Sequence, residues 1–330
     1  MFVLRTRGGL SGFAIGLGGC FGGKKRLTGG MSHPISRRTA LKQIGTGTAL
    51  ATMTLANLPA AETPVPASKG RIKQSVCQWC FRGMPLEELC AAAAGMGLKS
   101  VELLQPTDAP TLKKYGLTCA MVTAPNTKVG EVTGVGGIPK AWNRVEYHDA
   151  LVAVYEEYLH ASSAAGFPSL ICFSGNRGGM SDEEGLENCV KGLQRIVPLA
   201  EKLGVTLCME LLNSRVNHKD YMCDRTEWGV ELSKRLDSPR FKLLYDIYHM
   251  QIMEGDVIAT IQKHHEHIGH YHTAGVPGRH ELDENQELYY PAIIRAILDT
   301  GYQGYLGQEF IPAGKDPLAA LRAGVQVCDV

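Results

Sequence analysis

The sequence predicts a (β/α)8 barrel (a TIM barrel) as the single domain of residues 71–330. Short apolar runs and helical stretches alternate eight times after Arg71, as buried parallel strands and their crossover helices do. The length of this region is close to the roughly 250 residues that such a barrel uses. The competing fold is a doubly wound sheet, but no glycine fingerprint follows the first strand.

The predicted strands are apolar runs bounded by turn residues, at 72–81, 100–105, 117–124, 169–175, 205–212, 241–247, 268–274 and 304–310. The predicted helices lie at 86–95, 109–115, 142–165, 182–203, 226–236, 257–267, 289–300 and about 317–327. A glycine lies between the end of a predicted helix and the start of the next predicted strand at Gly97, Gly116, Gly166, Gly204 and Gly301. Ser181 and Glu184 have the spacing of a capping box. The glycine-rich loop 125–141 follows the third strand and suits either a mobile lid or a solvated loop.

Charge and cysteine usage narrow the class of protein. The formal net charge of +1 gives no support for nucleic-acid binding or attraction to a membrane surface. Most of the ten cysteines fall inside predicted strands or helices, so we expect buried free thiols rather than a disulfide framework. Cys77 and Cys80 have redox spacing, but they lie along a strand rather than at a helix start. The sequence leaves open whether the protein forms a homo-oligomer.

The first 70 residues are not expected to belong to the barrel. Residues 1–30 are glycine-rich, and we expect them to be disordered. We also expect the true start to be Met31, so that residues 1–30 are an extension assigned upstream of it in error. Residues 31–61 contain Ser36-Arg-Arg-Thr-Ala-Leu-Lys42, then an uncharged stretch and Pro59-Ala-Ala61. This order is similar to a twin-arginine signal peptide, with a disordered basic leader as the alternative. Residues 62–70 are expected to form an extended linker.

An export signal of this kind predicts a periplasmic or extracytoplasmic protein. The twin-arginine machinery moves folded proteins, so an enzyme could load its metal before export. The weakly apolar run 10–21 is short and interrupted by glycine, so no stable membrane anchor is expected.

Four predicted strands each end in a residue that can bind a metal: Glu210, Asp246, His272 and Glu309. Each strand is followed by a helical segment, so these side chains should meet at the C-terminal mouth of the barrel, where such enzymes do their chemistry. Three carboxylates and one imidazole suit Mn²⁺ or Mg²⁺, with Zn²⁺ or Co²⁺ as alternatives.

Glu210 and Glu309 come from strands five and eight, nearly opposite each other, as a proton shuttle on carbon requires. The alternative is that they only pair with a barrel lysine or arginine, although a lone buried carboxylate is costly. One carboxylate would remove a proton beside a carbonyl, and a carboxylate would return it.

Three further residues are candidates for substrate contacts: His249, Arg279 and Glu102. His249 follows Asp246 by three residues, so it could contact substrate or a metal-bound water, or exchange roles with Asp246. Arg279 suits a substrate carboxylate or phosphate. Glu102 ends the second strand and could point into the mouth.

Three segments resemble the hydroxypyruvate isomerases of the xylose-isomerase-like barrel superfamily. They are Met209-Glu-Leu-Leu-Asn-Ser214, Leu244-Tyr-Asp-Ile-Tyr-His-Met-Gln-Ile-Met-Glu-Gly-Asp256 and Ile268-Gly-His-Tyr-His-Thr-Ala-Gly-Val-Pro-Gly-Arg-His-Glu281. The resemblance covers about residues 72–328. It implies that Glu210 and Glu309 are proton donor and acceptor as well as metal ligands, and that Asp246 completes the cation site.

The chain departs from that pattern at His272, where hydroxypyruvate isomerases usually have glutamine and ketose 3-epimerases of the same superfamily have histidine. The leading hypothesis is a metal-dependent aldose–ketose isomerase that converts hydroxypyruvate to tartronate semialdehyde through a cis-enediolate. The alternatives are a ketose 3-epimerase, another sugar isomerase or a dehydratase on the same scaffold. A non-catalytic periplasmic sugar-binding module and, least favoured, a multi-zinc DNA endonuclease belong to other classes.

Overall fold

The computed structural model describes residues 69–330. Three predicted segments lie wholly or mostly outside the described residues. They are the upstream extension 1–30, the signal peptide 31–61 and the linker 62–70, of which only the last two residues are described. Within 69–330, no helix has the length and apolar character that a membrane span requires.

Seven parallel strands and a small hairpin form the β-structure of the described residues. The strands are β1 Lys73–Cys77, β2 Ser100–Glu102, β3 Thr127–Val129, β4 Val132–Val135, β5 Ser169–Cys172, β6 Thr206–Leu211, β7 Phe241–Asp246, β8 Ile268–Thr273 and β9 Tyr305–Gln308. The main sheet has the order β2-β1-β9-β8-β7-β6-β5, and its neighbours are all parallel.

The third predicted strand, 117–124, closes the ring between β2 and β5 through isolated parallel bridges rather than a continuous ladder. Thr118 pairs with Ser100, and Val122 pairs with both Leu104 and Leu170. Because one segment touches both edge strands of the seven-stranded sheet, no edge remains between them. The predicted TIM barrel is confirmed.

The helices are α1 Leu86–Gly95, α2 Ala109–Lys114, α3 His148–Ala165, α4 Asp182–Leu193, α5 Val197–Leu203, α6 Thr226–Leu236, α7 Ile247–Met253, α8 Val257–His264, α9 Tyr290–Asp299 and α10 Pro317–Cys328.

The single helix predicted at 182–203 is wrong, since α4 ends before Pro198 and α5 begins around it. Proline has no N–H group with which to continue the hydrogen-bond ladder of α4. The Ser181 hydroxyl caps α4 by accepting from the Glu184 N–H at 3.2 Å, which is the first of the two hydrogen bonds of the predicted capping box.

Helix α7 was not predicted, and it starts directly at the end of β7. The Asp246 Oδ1 atom accepts from the backbone N–H groups of Tyr248 at 2.8 Å and His249 at 3.4 Å. This N-cap fixes the carboxylate at the barrel mouth, where its other oxygen accepts from Arg279.

The loop 125–141 contains the β3–β4 hairpin, which the sequence did not predict. It folds back where Gly136 has a φ of 103°, and a Cβ there would lie 2.1 Å from the Pro125 carbonyl oxygen. Only glycine fits this close approach.

The cysteine prediction is confirmed for the described residues. All nine of their cysteines are buried and free.

A small apolar cluster of Met121, Ala124, Ile171, Cys208 and Leu244 packs against Leu103 and Phe173. Those last two side chains also line the cavity at the mouth.

Candidate active site

The four predicted metal-type ligands converge. Glu210 lies near the end of β6, Asp246 ends β7, His272 lies near the end of β8, and Glu309 follows β9. In the sheet register Asp246 pairs with His272, so their side chains start side by side. One donor atom from each of the four side chains lies within 4.8 Å of the others.

This donor set fits a divalent cation. Three carboxylates and one imidazole are the groups that such ions take from proteins. The His272 Nδ1 atom is buried and lies 2.9 Å from Glu309 Oε2 and 3.8 Å from Glu210 Oε1. Among the described residues it nevertheless has no partner with hydrogen-bond geometry. A buried ring nitrogen without a partner, facing two carboxylates, is what a coordinated cation would satisfy.

Arg279 and Trp79 hold the Glu309 carboxylate. The Arg279 Nη2 atom donates to Glu309 Oε2 at 2.6 Å and to Asp246 Oδ2 at 3.2 Å. The Trp79 Nε1–H group donates to Glu309 Oε1 at 2.8 Å. The guanidinium lies over the rings of Trp79 and Tyr248, 5.1 and 5.4 Å from their centroids. The sequence identified Arg279, but nothing in it indicated the Trp79 hydrogen bond.

The surroundings shift the pKa values of the acidic groups in different directions. Burial raises the pKa of Glu210, against a weaker opposing effect of His272. Burial also raises the pKa of Asp246, to about 8. For Glu309, burial is outweighed by His272 and Arg279, which hold its pKa well below its usual range. Glu309 is therefore the firmly ionised carboxylate of the site, and Glu210 has the higher affinity for a proton.

His249 is a buried residue of α7, three positions after Asp246. Its Nδ1 atom is 2.6 Å from the Asn213 amide nitrogen, and its Nε2 atom is 3.5 Å from Asp246 Oδ2 without a hydrogen-bond partner. Because burial lowers its pKa well below the usual value, the ring is neutral at pH 7. Its predicted role toward substrate or a metal-bound water stays a prediction.

Glu102 does not occupy the place the sequence indicated. Its side chain has no exposed surface, and Oε1 accepts from His272 Nε2 at 2.9 Å and His270 Nε2 at 3.0 Å. Although burial opposes it, the two histidines hold the pKa of Glu102 well below its usual range. The prediction of a substrate contact is therefore corrected: Glu102 is a buried carboxylate beneath His272. Nothing in the sequence indicated His270.

The chain matches the model of one protein family over residues 90–329, which is described as the xylose isomerase-like TIM barrel. The chain belongs to this family.

Relatives within the family are named isomerases. The chain is 28% identical to the 2-oxo-tetronate isomerase of Pectobacterium atrosepticum, over 71% of its own length and 90% of the relative's. It is 27% identical to a Danio rerio protein with the provisional name of hydroxypyruvate isomerase, over 72% of its length and 88% of the relative's.

Solved structures show the same fold. A Brucella melitensis protein described as an AP endonuclease of family 2 has a TM-score of 0.65 and 27% identity, and the match covers 76% of this chain and 97% of that one. A 3-keto-D-glucoside 4-epimerase from E. coli has a TM-score of 0.63 at 17% identity, over 77% and 98% of the two chains.

The cavity of this xylose isomerase-like barrel is about 390 Å³ in volume. Its polar wall includes Glu210, Glu309, Arg279, His218 and Arg82, and its apolar wall includes Trp79, Leu103, Ile138, Ile171, Phe173 and Leu212. Leu103, Phe173 and Leu212 each follow the last residue of a strand. All three lie inside the predicted strands 100–105, 169–175 and 205–212, and nothing in the sequence marked them as part of a cavity wall.

Proposed function

We propose that the protein is a divalent-metal-dependent isomerase that moves a proton between adjacent carbons of a small hydroxylated keto acid, of the hydroxypyruvate isomerase type. The observation that carries the proposal is the position of Glu210 and Glu309. Both line the same cavity, and both belong to the group of four converging donors. The names of the relatives support a keto acid as the substrate class.

The two glutamates differ in how tightly the protein holds them. Glu309 accepts hydrogen bonds from Trp79 and Arg279, whereas the nearest charged partner of Glu210 is His272 at 3.8 Å. A carboxylate with few fixed donors and a raised pKa is the better proton carrier. We therefore assign Glu210 to taking the proton from carbon and returning it to the neighbouring carbon, and Glu309 to orienting the substrate.

A bound divalent cation would hold the adjacent carbonyl and hydroxyl oxygens of the substrate and stabilise the negative charge that develops on them. Glu210, Asp246, His272 and Glu309 would hold it. We propose Mn²⁺ or Mg²⁺ in this role because oxygen donors predominate, with Zn²⁺ or Co²⁺ as alternatives that an imidazole ligand also suits.

Arg279 is proposed to bind the substrate carboxylate. It lines the cavity, and its buried Nε–H group has no hydrogen-bond partner within residues 69–330. Its Nη2 group pairs with Asp246 and Glu309, which are two of the residues that would hold the cation, and the rest of the guanidinium would be left to an incoming carboxylate. The planar fork of arginine matches a carboxylate in two hydrogen bonds.

The test is hydrogen exchange in D₂O with the full-length chain, reconstituted with Mn²⁺ or Mg²⁺ and followed by proton NMR. Hydroxypyruvate, 2-oxo-tetronate and a panel of ketoses serve as substrates. Metal-dependent deuterium incorporation at C3 of a keto acid is the expected result, with formation of the aldehyde isomer from hydroxypyruvate or the 3-oxo isomer from 2-oxo-tetronate. It should disappear in Glu210→Gln and Glu309→Gln. No exchange into any substrate, with metal bound, would leave a non-catalytic sugar-binding module.

A second candidate is an epimerase, sugar isomerase or dehydratase that acts on a longer ketose. The cavity volume of about 390 Å³ favours it, because this is more room than a three-carbon keto acid needs. Arg279→Ala separates the two candidates. It should reduce turnover of a keto acid far more than turnover of a neutral ketose, since only the former has a carboxylate to lose a partner. Exchange confined to C3 of a long ketose would favour the epimerase.

We also propose that residues 31–61 direct twin-arginine export to the periplasm. The support is the sequence Ser36-Arg-Arg-Thr-Ala-Leu-Lys42 ahead of an uncharged stretch. Replacing Arg37 and Arg38 together by lysine should retain the protein in the cytoplasm of a bacterial host, as cell fractionation would measure. Unchanged export of the double variant would contradict the proposal.

A further inference from the structure

The imidazole of His272 lies between carboxylates on both sides. Its Nδ1 atom faces Glu309 at 2.9 Å, on the side of the four converging donors. Its Nε2 atom faces Glu102 Oε1 at 2.9 Å, on the side away from the cavity. A carboxylate oxygen accepts, so each ring nitrogen that faces one can carry a hydrogen in the metal-free protein; a cation at the mouth would replace the hydrogen on Nδ1, whereas the contact with Glu102 keeps the hydrogen on Nε2.

We propose that Glu102 is a positioning residue that fixes the ring orientation and tautomer of His272, so that the unprotonated Nδ1 atom is presented to a divalent cation. The inference depends on the cation site of the proposed function but not on its substrate. A carboxylate behind a metal-bound histidine also makes the imidazole a stronger donor, because its charge stabilises the partial positive charge that coordination places on the ring.

The packing around the pair supports this role. Glu102 and His272 are both completely buried, so no water competes for their hydrogen bond. Gly307 of β9 lies against both, and a Cβ at that position would meet Glu102 Oε1 at 2.0 Å and His272 Cδ2 at 2.7 Å. The missing side chain at 307 is what makes room for the pair.

His270 provides an internal comparison. Its Nε2 atom lies 3.0 Å from the same Glu102 oxygen, yet it is absent from the group of four converging donors. It therefore shares the structural contact with Glu102 but has no part in holding a cation at the mouth. Cys77 also donates to this oxygen, at 3.4 Å.

The experiment measures Mn²⁺ binding to the metal-stripped full-length chain by titration calorimetry. Glu102→Gln retains the shape of the side chain and removes its charge, whereas Glu102→Leu also removes the acceptor. His270→Phe is the matched control, because it deletes the other histidine from the same carboxylate. Changing such a partner of a metal-bound histidine typically costs 10–100-fold in affinity. We expect about 10-fold weaker binding for Glu102→Gln, a larger loss for Glu102→Leu, and less than about 3-fold for His270→Phe.

The Kd of Mn²⁺ separates positioning from a purely structural role. A lower melting temperature with unchanged Kd in Glu102→Gln, or an equal loss of affinity in His270→Phe, would overturn the proposal. So would binding of two Mn²⁺ ions per chain, with one lost in Glu102→Gln, since Glu102, His270 and His272 would then themselves hold a cation.

A second measurement needs no variant that must fold. In the Zn²⁺-loaded wild-type chain with ¹⁵N-labelled histidine, His272 should show a hydrogen on Nε2 and coordination through Nδ1. Coordination through Nε2 would overturn the proposal whatever the fate of the isomerase activity.

Discussion

Glutamates lie on the two opposite sides of the His272 ring, and they have opposite roles on the two sides. On the cavity face, Glu210 and Glu309 retain 5% and 3% exposure and line an open cavity. On the opposite face, Glu102 has no exposure and accepts hydrogen bonds from His270 and His272. At the mouth the Glu210 carboxylate is available to an outside partner, whereas in the layer beneath one oxygen of Glu102 is already bonded to two histidines.

Burial alone does not explain the difference, since all three glutamates are buried. The number of fixed donors does: Glu102 gathers protein donors on one oxygen, while Glu210 has only the distant His272. A buried carboxylate that the protein leaves unpaired is costly unless a ligand or a proton completes it. The face that carries the poorly paired carboxylate of Glu210 is therefore the functional face.

The largest expected effect is on catalysis from the cavity face. Glu210→Gln should reduce kcat/KM by about 10³-fold, within the 10²–10⁴-fold that positioned proton transfer contributes. The melting temperature should change little, because no hydrogen bond from the protein is lost. Steady-state kinetics with a saturating metal ion and a thermal scan measure the two quantities. Loss of the fold together with the activity would contradict this assignment.

The comparison becomes sharper when the same substitution is made on each face. Glu102→Leu should lower the free energy of unfolding of the metal-free protein by about 3–5 kcal/mol, because it strands two buried donors. Glu210→Leu should change it by less than about 1 kcal/mol, or stabilise the protein, because a poorly paired buried carboxylate is removed. Urea denaturation measures both, and equal losses would show that the two faces do not differ as described.

Gly307→Ala tests the room beneath His272. The methyl group would displace Glu102 and His272, and overpacking of this kind costs about 1–3 kcal/mol of stability. Gly95→Ala in α1 is the control, since a Cβ there meets nothing within 4 Å and should stabilise the helix by up to about 1 kcal/mol. An unchanged melting temperature in Gly307→Ala would mean that the buried layer yields easily.

The smallest expected effect is on the hydrogen bond that holds Glu309. Trp79→Phe keeps an aromatic face beneath Arg279 but removes the Nε1–H donor at 2.8 Å. A hydrogen bond to a charged group contributes about 1.5–3 kcal/mol, part of which the remaining Arg279 contact retains. We expect kcat/KM to fall by about 10-fold at unchanged stability. A loss as large as that of Glu210→Gln would reverse the assignment of the two glutamates.

Much of the fold could be predicted from the sequence because buried parallel strands have a strong local signature. The runs that end at Glu210, Asp246, His272 and Glu309 are apolar and bounded by turns, and parallel strands bring their C-terminal ends together. Helix α7 and the β3–β4 hairpin were missed. The first depends on a cap from a residue that also reads as a strand end, and the second lies in a segment rich in glycine.

By itself the sequence determined the barrel and the four side chains that converge at its mouth, because strand periodicity and strand ends are local properties of the chain. Only the tertiary structure decided that Glu102 lies under His272, that Trp79 holds Glu309, and that Arg279 pairs with two of the four donors. These contacts join residues that are far apart in the sequence, and Glu102 and His272 are separated by 170 positions. Which way a strand-end side chain turns depends on neighbours such as Gly307 that only folding brings beside it.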